Sequence, residues 1–282
     1  MPEYKKSGYL TSGFKLFHLK DNEHREFSYH YHDFHKILIL LRGDITYCIE
    51  GRTYDLLPWD IVLVHAGEVH RPIIKSDELY ERIIVYVAPE FLLTEQEEAC
   101  DLGLCFRPDC LSQSHVLRFP SALAEKVRDA ISTLDTSIDD TDFAAGLRRK
   151  LLFQEFMIQL NRATLHNGVL FIANSPSDGK ITEVLNYVAA HLTEDLSVSE
   201  LSAQFYLSRY YLMHAFKEQT GYTIGHYIST KRLLLARELV SRGMPITEAC
   251  YACGFKNYST FSRAYKKCFG ESPRESRQSI SV

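Results

Sequence analysis

No apolar run in these 282 residues approaches the roughly 20 that a membrane-spanning helix needs. The opening segment MPEYKKSGYL lacks the apolar core of a secretion signal, so a cytoplasmic protein without membrane contact is expected. Net charge is only −4, and as a bulk figure it speaks against a nucleic-acid partner. Cysteine occurs seven times, an odd count that, with no export signal, reads as reduced thiols rather than a disulfide framework. Cys100, Cys105 and Cys110 recur every five residues with His115 five further on, yet the short paired spacing of structural zinc sites is missing. Cys250 and Cys253 form a CxxC, but on a helix an i,i+3 pair shares one face, and the two read as small core residues.

What is present is a globular composition, 12% aromatic and 45% hydrophobic, on a length that allows two domains with separate cores. Charge is divided unevenly. Residues 178–282 carry 13 Lys+Arg against 10 Asp+Glu, whereas residues 1–177 carry 19 against 26. From Leu201 onward the count is 12 against 5, a basic lobe on an acidic chain, which is the local field that phosphate attraction needs. Segments 37–41, 45–49, 52–56, 61–64 and 80–87 are rich in β-branched and aromatic residues and are separated by turn signals such as Arg42-Gly43-Asp44 and Pro58-Trp59-Asp60. Many short strands with tight turns predict a barrel or jelly roll. Between 121 and 165 the apolar period becomes helical, through Leu123, Val127, Ile131 and Leu134 and then Leu147, Leu151, Leu152, Phe156 and Leu160. The polar, breaker-rich stretch 174–179 reads as a linker, and everything after it as helix.

The last hundred residues repeat themselves. VSELSAQFYLSRYYLMHAFKEQTG and TEACYACGFKNYSTFSRAYKKCFG align at an offset of 49: Ala203 with Ala252, Leu212 with Phe261, Phe216 with Tyr265, Lys217 with Lys266 and Gly221 with Gly270. Each copy spells a short helix, a tight connection, a longer basic helix and a glycine that stops it, which is a helix-turn-helix unit. Ser197 and Glu200 fit a capping box, and Ser208 and Asn257 are N-cap residues of the longer helices. Double-stranded DNA is therefore the expected partner, and each copy offers its own contact set. In the first it is Ser208, Arg209, Tyr210, Tyr211, His214 and Lys217; in the second it is Lys256, Asn257, Tyr258, Ser259, Thr260, Arg263 and Lys266.

This half resembles the C-terminal domain of AraC/XylS-type transcription regulators. The pattern is carried by Leu207-Ser208, Tyr211-Leu212, Phe216-Lys217, Thr220-Gly221, Arg232-Leu233, Ala236, Ile246, Ala249, Gly254-Phe255, Phe261, Arg263, Gly270 and Ser272-Pro273. Ser276 departs from it, standing where the family usually has tyrosine. The resemblance implies a helix near 224–241 as a rigid connector between two reading heads, and RNA polymerase as a further partner. It also implies an α+β chain: a cupin-like sensor jelly roll over 1–118, a helical dimerisation or linker segment over 119–173, and the DNA-binding domain over 180–282.

The N-terminal half is similar to a cupin in His30-Tyr31-His32, Pro58-Trp59-Asp60 and the later His70. In metal-binding cupins a glutamate stands four positions after the HxH pair; here that position is Lys36, which cannot ligate while protonated. A three-histidine metal site on His30, His32 and His70, and with it a cupin metal enzyme carrying a DNA-binding domain, is the alternative reading. Histidines merely bonded within the barrel mouth are another. The reading adopted is a pocket for a small-molecule effector, without metal or cofactor, formed by His30, His32, Tyr47 and His70, with an arm at 14–18 able to fold across its mouth. Aromatic residues near it suggest a sugar. A homodimer is expected through 121–165, with Leu151, Leu152 and Phe156 at the interface or in the helix pair beneath it.

Overall fold

The run 35–40 is buried at every position, which suits a strand covered on both faces. The computed structural model describes residues 10, 12–21, 26–94, 101–107, 114–165, 170–171, 175–176 and 179–280. It divides the chain into two compact units, with the boundary between Ser175 and Pro176.

In the N-terminal unit β1 (Phe14–Asp21), β7 (Tyr80–Val87), β2 (His35–Arg42), β5 (Ile61–Val64), β8 (Val116–Arg118) and β9 (Leu170–Phe171) are hydrogen-bonded in that order. A second antiparallel sheet runs β4 (Arg52–Asp55), β3 (Ile45–Ile49), β6 (His70–Ile74) within this unit. Alternation along β2 and β7 sorts their side chains. After the short helix α1 (Pro89–Thr94) come α2 (Ser121–Thr136) and α3 (Ala145–Leu165), and Ile37, Ile39, Ile83, Val85 and Val87 pack with Val127, Ile131 and Leu134 of α2 and with Phe153, Phe156 and Leu160 of α3. Leu38, Leu40 and Ile84, one residue out of step, pack with Tyr47, Ile49 and Tyr54 of the other sheet. Lys36 and Tyr86 share the parity of this second group and so belong to the space between the sheets. The architecture is the expected α+β one, a cupin-like sandwich with a helical pair on one outer face.

The structure corrects one expectation, adds one strand and sorts the residues of the helical pair. Residues 14–18 are no free arm: they are the start of β1, paired with β7 over its whole length from Phe14 opposite Val87 to Asp21 opposite Tyr80. His18 is further tied at 2.8 Å to both Asp135 and Glu81. The strand His70–Ile74 goes unmarked in the sequence because Pro72 interrupts it, which an edge strand tolerates. Among the three residues offered for the dimer interface, Phe156 is fully buried in its own core and Leu152 half-buried against it, while Leu151 is exposed.

The C-terminal unit consists of α4 (Gly179–Ala190), α5 (Val198–Gln204), α6 (Arg209–Thr220), α7 (Ile224–Ser241), α8 (Ile246–Ala252), α9 (Tyr258–Phe269) and α10 (Pro273–Ile280). Over the longer helices the 49-residue offset holds down to single hydrogen bonds, whereas the short first helices stand 48 residues apart, so Ala203 does not pair with Ala252. Ser208 accepts from the Tyr211 N–H and Asn257 from the Thr260 N–H, each capping its helix. Gly221 and Gly270 end the same helices at φ of 76° and 80°, donating to Lys217 and Lys266 carbonyls. Ser197 and Glu200 form the capping box of α5. Leu212, Phe216, Phe261 and Tyr265 are buried at equivalent places.

Arg232, on the connector α7, joins the two copies. Its guanidinium donates to the carbonyls of Leu192 and Glu194, which precede the first copy, and of Gly254, in the turn of the second. Gly254 is held at φ +83°, and a Cβ there would lie 2.7 Å from the Thr193 carbonyl oxygen. Below this clamp Leu233 and Ala236 pack with Cys250, Cys253, Phe261 and Tyr265. Both cysteines are free and wholly buried, and burial pushes the Cys253 thiol up to about 12, so the CxxC has no thiolate for redox chemistry. Ser276 is also buried, and its hydroxyl accepts from the Tyr265 hydroxyl at 3.1 Å, docking α10 onto the core.

Candidate functional site

Two groups of residues remain once the cores are accounted for: the exposed faces of the repeated helices and a polar cluster between the sheets. On the helices all thirteen candidate contact residues, from Ser208 to Lys217 and from Lys256 to Lys266, are solvent-exposed. Their roles differ. Ser208 and Asn257 spend their side chains on capping, and the Lys256 ammonium pairs with Asp195 at 2.6 Å. Arg209, His214, Lys217 and Lys266 carry donors on the outer face, and Arg263 is steadied by a 3.3 Å bond to the Ser259 carbonyl. Nothing in the sequence marks Tyr206, which is 94% exposed and holds φ 54°, a left-handed turn that tyrosine adopts only under strain. In the second copy glycine, at Gly254, supplies the left-handed residue of the corresponding turn. Met213 is likewise exposed, beside the candidate contact residues of α6.

The four candidate effector residues do come together. A bridge pairs His30 with His70 through two backbone bonds of 3.1 and 2.9 Å, and the rings of His30, His32 and His70 lie 4.4 to 5.1 Å apart. Tyr47 stacks on His70 at 6.0 Å, and His32 rests on Phe34 and Tyr86. His32, His70 and Tyr47 are buried, and His30 is half-buried on the solvent side. The sequence missed Lys36 as a participant: it is 5% exposed, its Nζ lies 3.5 Å from His70 Nε2, and it sits over the Tyr47 ring.

Local bonds fix the imidazole tautomers. His30 Nδ1 meets the Ser28 carbonyl and His70 Nδ1 the Glu68 carbonyl, each at 2.9 Å, so both Nδ1 atoms carry the proton and each Nε2 presents a lone pair. Burial, with the Lys36 charge next, lowers His30 to about 4 and His70 well below its ordinary value, keeping both rings neutral. Burial and then the Arg82 guanidinium bring Lys36 down to about 7, and burial pushes the Tyr47 phenol up.

Three imidazoles offer one ligand atom each within 4.8 Å of one another, which is a start for a metal. The rest of the donor set does not fit a divalent cation. Where a carboxylate would complete the shell stands an ammonium, directed at the lone pair of one of the three rings. The five-spaced cysteines supply no alternative centre among the described residues. Cys105 is a buried core residue, both ring nitrogens of His115 are taken by Tyr54 and Glu68, and Cys100 and Cys110 lie outside the described residues.

Comparison with known proteins bears on both halves of the chain. Residues 16–157 match an AraC-like ligand binding domain and residues 201–279 a helix-turn-helix domain. The chain is 26% identical over 253 residues to the HTH-type transcriptional activator RhaS of Salmonella typhimurium, covering 89% of this chain and 88% of RhaS. Among solved structures, the DNA-binding domain of AdpA in complex with a target DNA is 28% identical over 36% of this chain and 93% of its own, with a TM-score of 0.35. ToxT from Vibrio cholerae is similar over 96% of this chain and all of its own at 14% identity and a TM-score of 0.38.

Proposed function

Because the chain belongs to the AraC-type family of DNA-binding transcription regulators with a ligand-binding domain, we propose that it is a cytoplasmic, effector-controlled activator that reads DNA with two heads and works as a homodimer with RNA polymerase. The observation that carries this reading is the repeat of capped, outward-facing basic helices at one fixed offset. In this reading residues 1–118 sense, 119–173 dimerise or link, and 180–282 bind DNA. His30, His32, Tyr47 and His70 hold the effector, whose preference for one conformation of the chain shifts which sites a dimer can span.

Arg209→Ala and Arg263→Ala, one in each head, are each expected to weaken specific binding by about 1–3 kcal/mol if the guanidinium meets a guanine edge. Titrating each variant against a duplex selected from a random pool by the wild-type protein checks this. If only one of the two substitutions changed affinity, a single head would be doing the reading.

For the dimer, we take the exposed side of α3 as the interface, since Phe156 is spent in the protein's own core. Leu147 and Leu151, one turn apart and 59% and 57% exposed, form an apolar stripe there. The double variant Leu147→Glu, Leu151→Glu is expected to sediment as a monomer at tens of micromolar, where the wild type is a dimer. A wild-type monomer at that concentration ends the claim.

A further inference from the structure

Between the two sheets lies a cation that the protein does not neutralise. Arg82, the other cation there, is ion-paired with Asp21 and donates to the Tyr80 carbonyl at 3.1 Å. Lys36 is as deeply buried as Arg82, yet no carboxylate among the described residues pairs with it. Its compensation is the face of the Tyr47 ring, 5.6 Å away, and the His70 lone pair. The Tyr47 hydroxyl is a second unanswered group, wholly buried with no hydrogen-bond partner among the described residues. Beside these two donors, the His30 Nε2 lone pair is an acceptor on the half-buried side of the cluster.

A buried ammonium and an orphan phenol call for an anion, and imidazole lone pairs call for hydroxyl protons. We propose that the effector is a small sugar acid: its carboxylate is held by the Lys36 ammonium and the Tyr47 hydroxyl, and its hydroxyls donate to the neighbouring imidazoles. This rests on the reading that the effector binds in the barrel. A neutral sugar leaves the ammonium buried and uncompensated, and a divalent cation adds to its charge. A phosphate dianion asks for more cations than the single unpaired lysine provides, and the N–H groups of the central strands are already spent in the ladders. A carboxylate matches one lysine and one phenol.

The test is thermal unfolding of the full chain with gluconate, galactonate, glucuronate and galacturonate, each beside glucose or galactose at equal ionic strength, with inorganic phosphate as a further arm. At least one acid is expected to raise the melting temperature by about 4–8 °C at saturating concentration, the sugars and phosphate leaving it unmoved. The shift should vanish in Lys36→Met and shrink in Tyr47→Phe, which keeps the ring and its packing. No shift with any acid, an equal shift with a parent sugar or with phosphate, or a shift that survives Lys36→Met overturns the proposal. A sugar-induced shift lost in the His30→Ala, His32→Ala double variant but kept in Lys36→Met removes the anion and leaves the barrel as the effector site. An acid-induced shift indifferent to all of these substitutions moves the binding site elsewhere and removes both readings.

Discussion

Full-length protein carrying Arg232→Ala is expected to bind its selected DNA about 30-fold more weakly than wild type, a loss of the same order as that of Arg209→Ala or Arg263→Ala, although Arg232 lies on no reading helix. Its guanidinium fills three backbone carbonyls at once, two ahead of the first head and one in the turn of the second. Removing it strands those acceptors beside the close approach at Gly254, at a cost of about 2–4 kcal/mol for charge-assisted bonds of this kind. It also frees the heads to turn against each other, so two half-sites are no longer met together. Melting and DNA titration on one preparation separate the effects. A variant that melts and binds like wild type would mean that packing alone aligns the heads.

Lys36→Met should make the effector-free protein more stable at pH 6, an unusual outcome for truncating a buried charge. Burial holds Lys36 near 7, against an unfolded value of 10.5. Between those limits the unfolded chain binds the extra proton, so wild-type stability rises as pH climbs from about 7 to 10.5; below 7 the whole penalty is present. The deficit relative to Lys36→Met is thus greatest at pH 6, on the order of 3–5 kcal/mol from the size of the shift, and fades towards pH 10. Arg82, the three histidines, Tyr47, Tyr80 and Tyr86 face Lys36 in both proteins, and the depressed His30 and His70 values are partly due to it, so their relief has the same sign. Melting curves at pH 6 and pH 9.5 decide the matter. Lys36→Met melting below wild type at pH 6 would show that the ammonium is compensated after all.

What the sequence made legible was whatever is local. N-caps at Ser208 and Asn257, stop glycines at Gly221 and Gly270 and the apolar pairs between them are dictated within a dozen residues, so the repeat could be read to single hydrogen bonds. Strands bounded by strong turns were legible for the same reason. β1 was not, because its apolar and charged residues follow no strict alternation along a partly exposed strand, and its partner, β7, lies about 60 residues away. The helical period showed that Leu151, Leu152 and Phe156 belong to an apolar pattern, but only packing tells which of them the protein's own core covers. Lys36 shows the limit most plainly. The sequence says that it is not a glutamate; its burial without a carboxylate arises only when three elements close around it.

The connector between the heads also works as a gauge with an angular scale. Eighteen residues of α7 span about 27 Å, and each residue added turns the second head by about 100° and advances it by about 1.5 Å. A one-residue insertion would turn that head by about 100° out of its present phase, whereas seven residues would nearly restore the phase while moving it about 10 Å along the connector axis. Arg232 stands midway along this gauge, and an insertion on either side pulls one of its carbonyl partners out of reach. On the two-head reading, half-site spacing within one chain is set by helix length rather than negotiated by a hinge, and an operator that departs from it has to bend to fit.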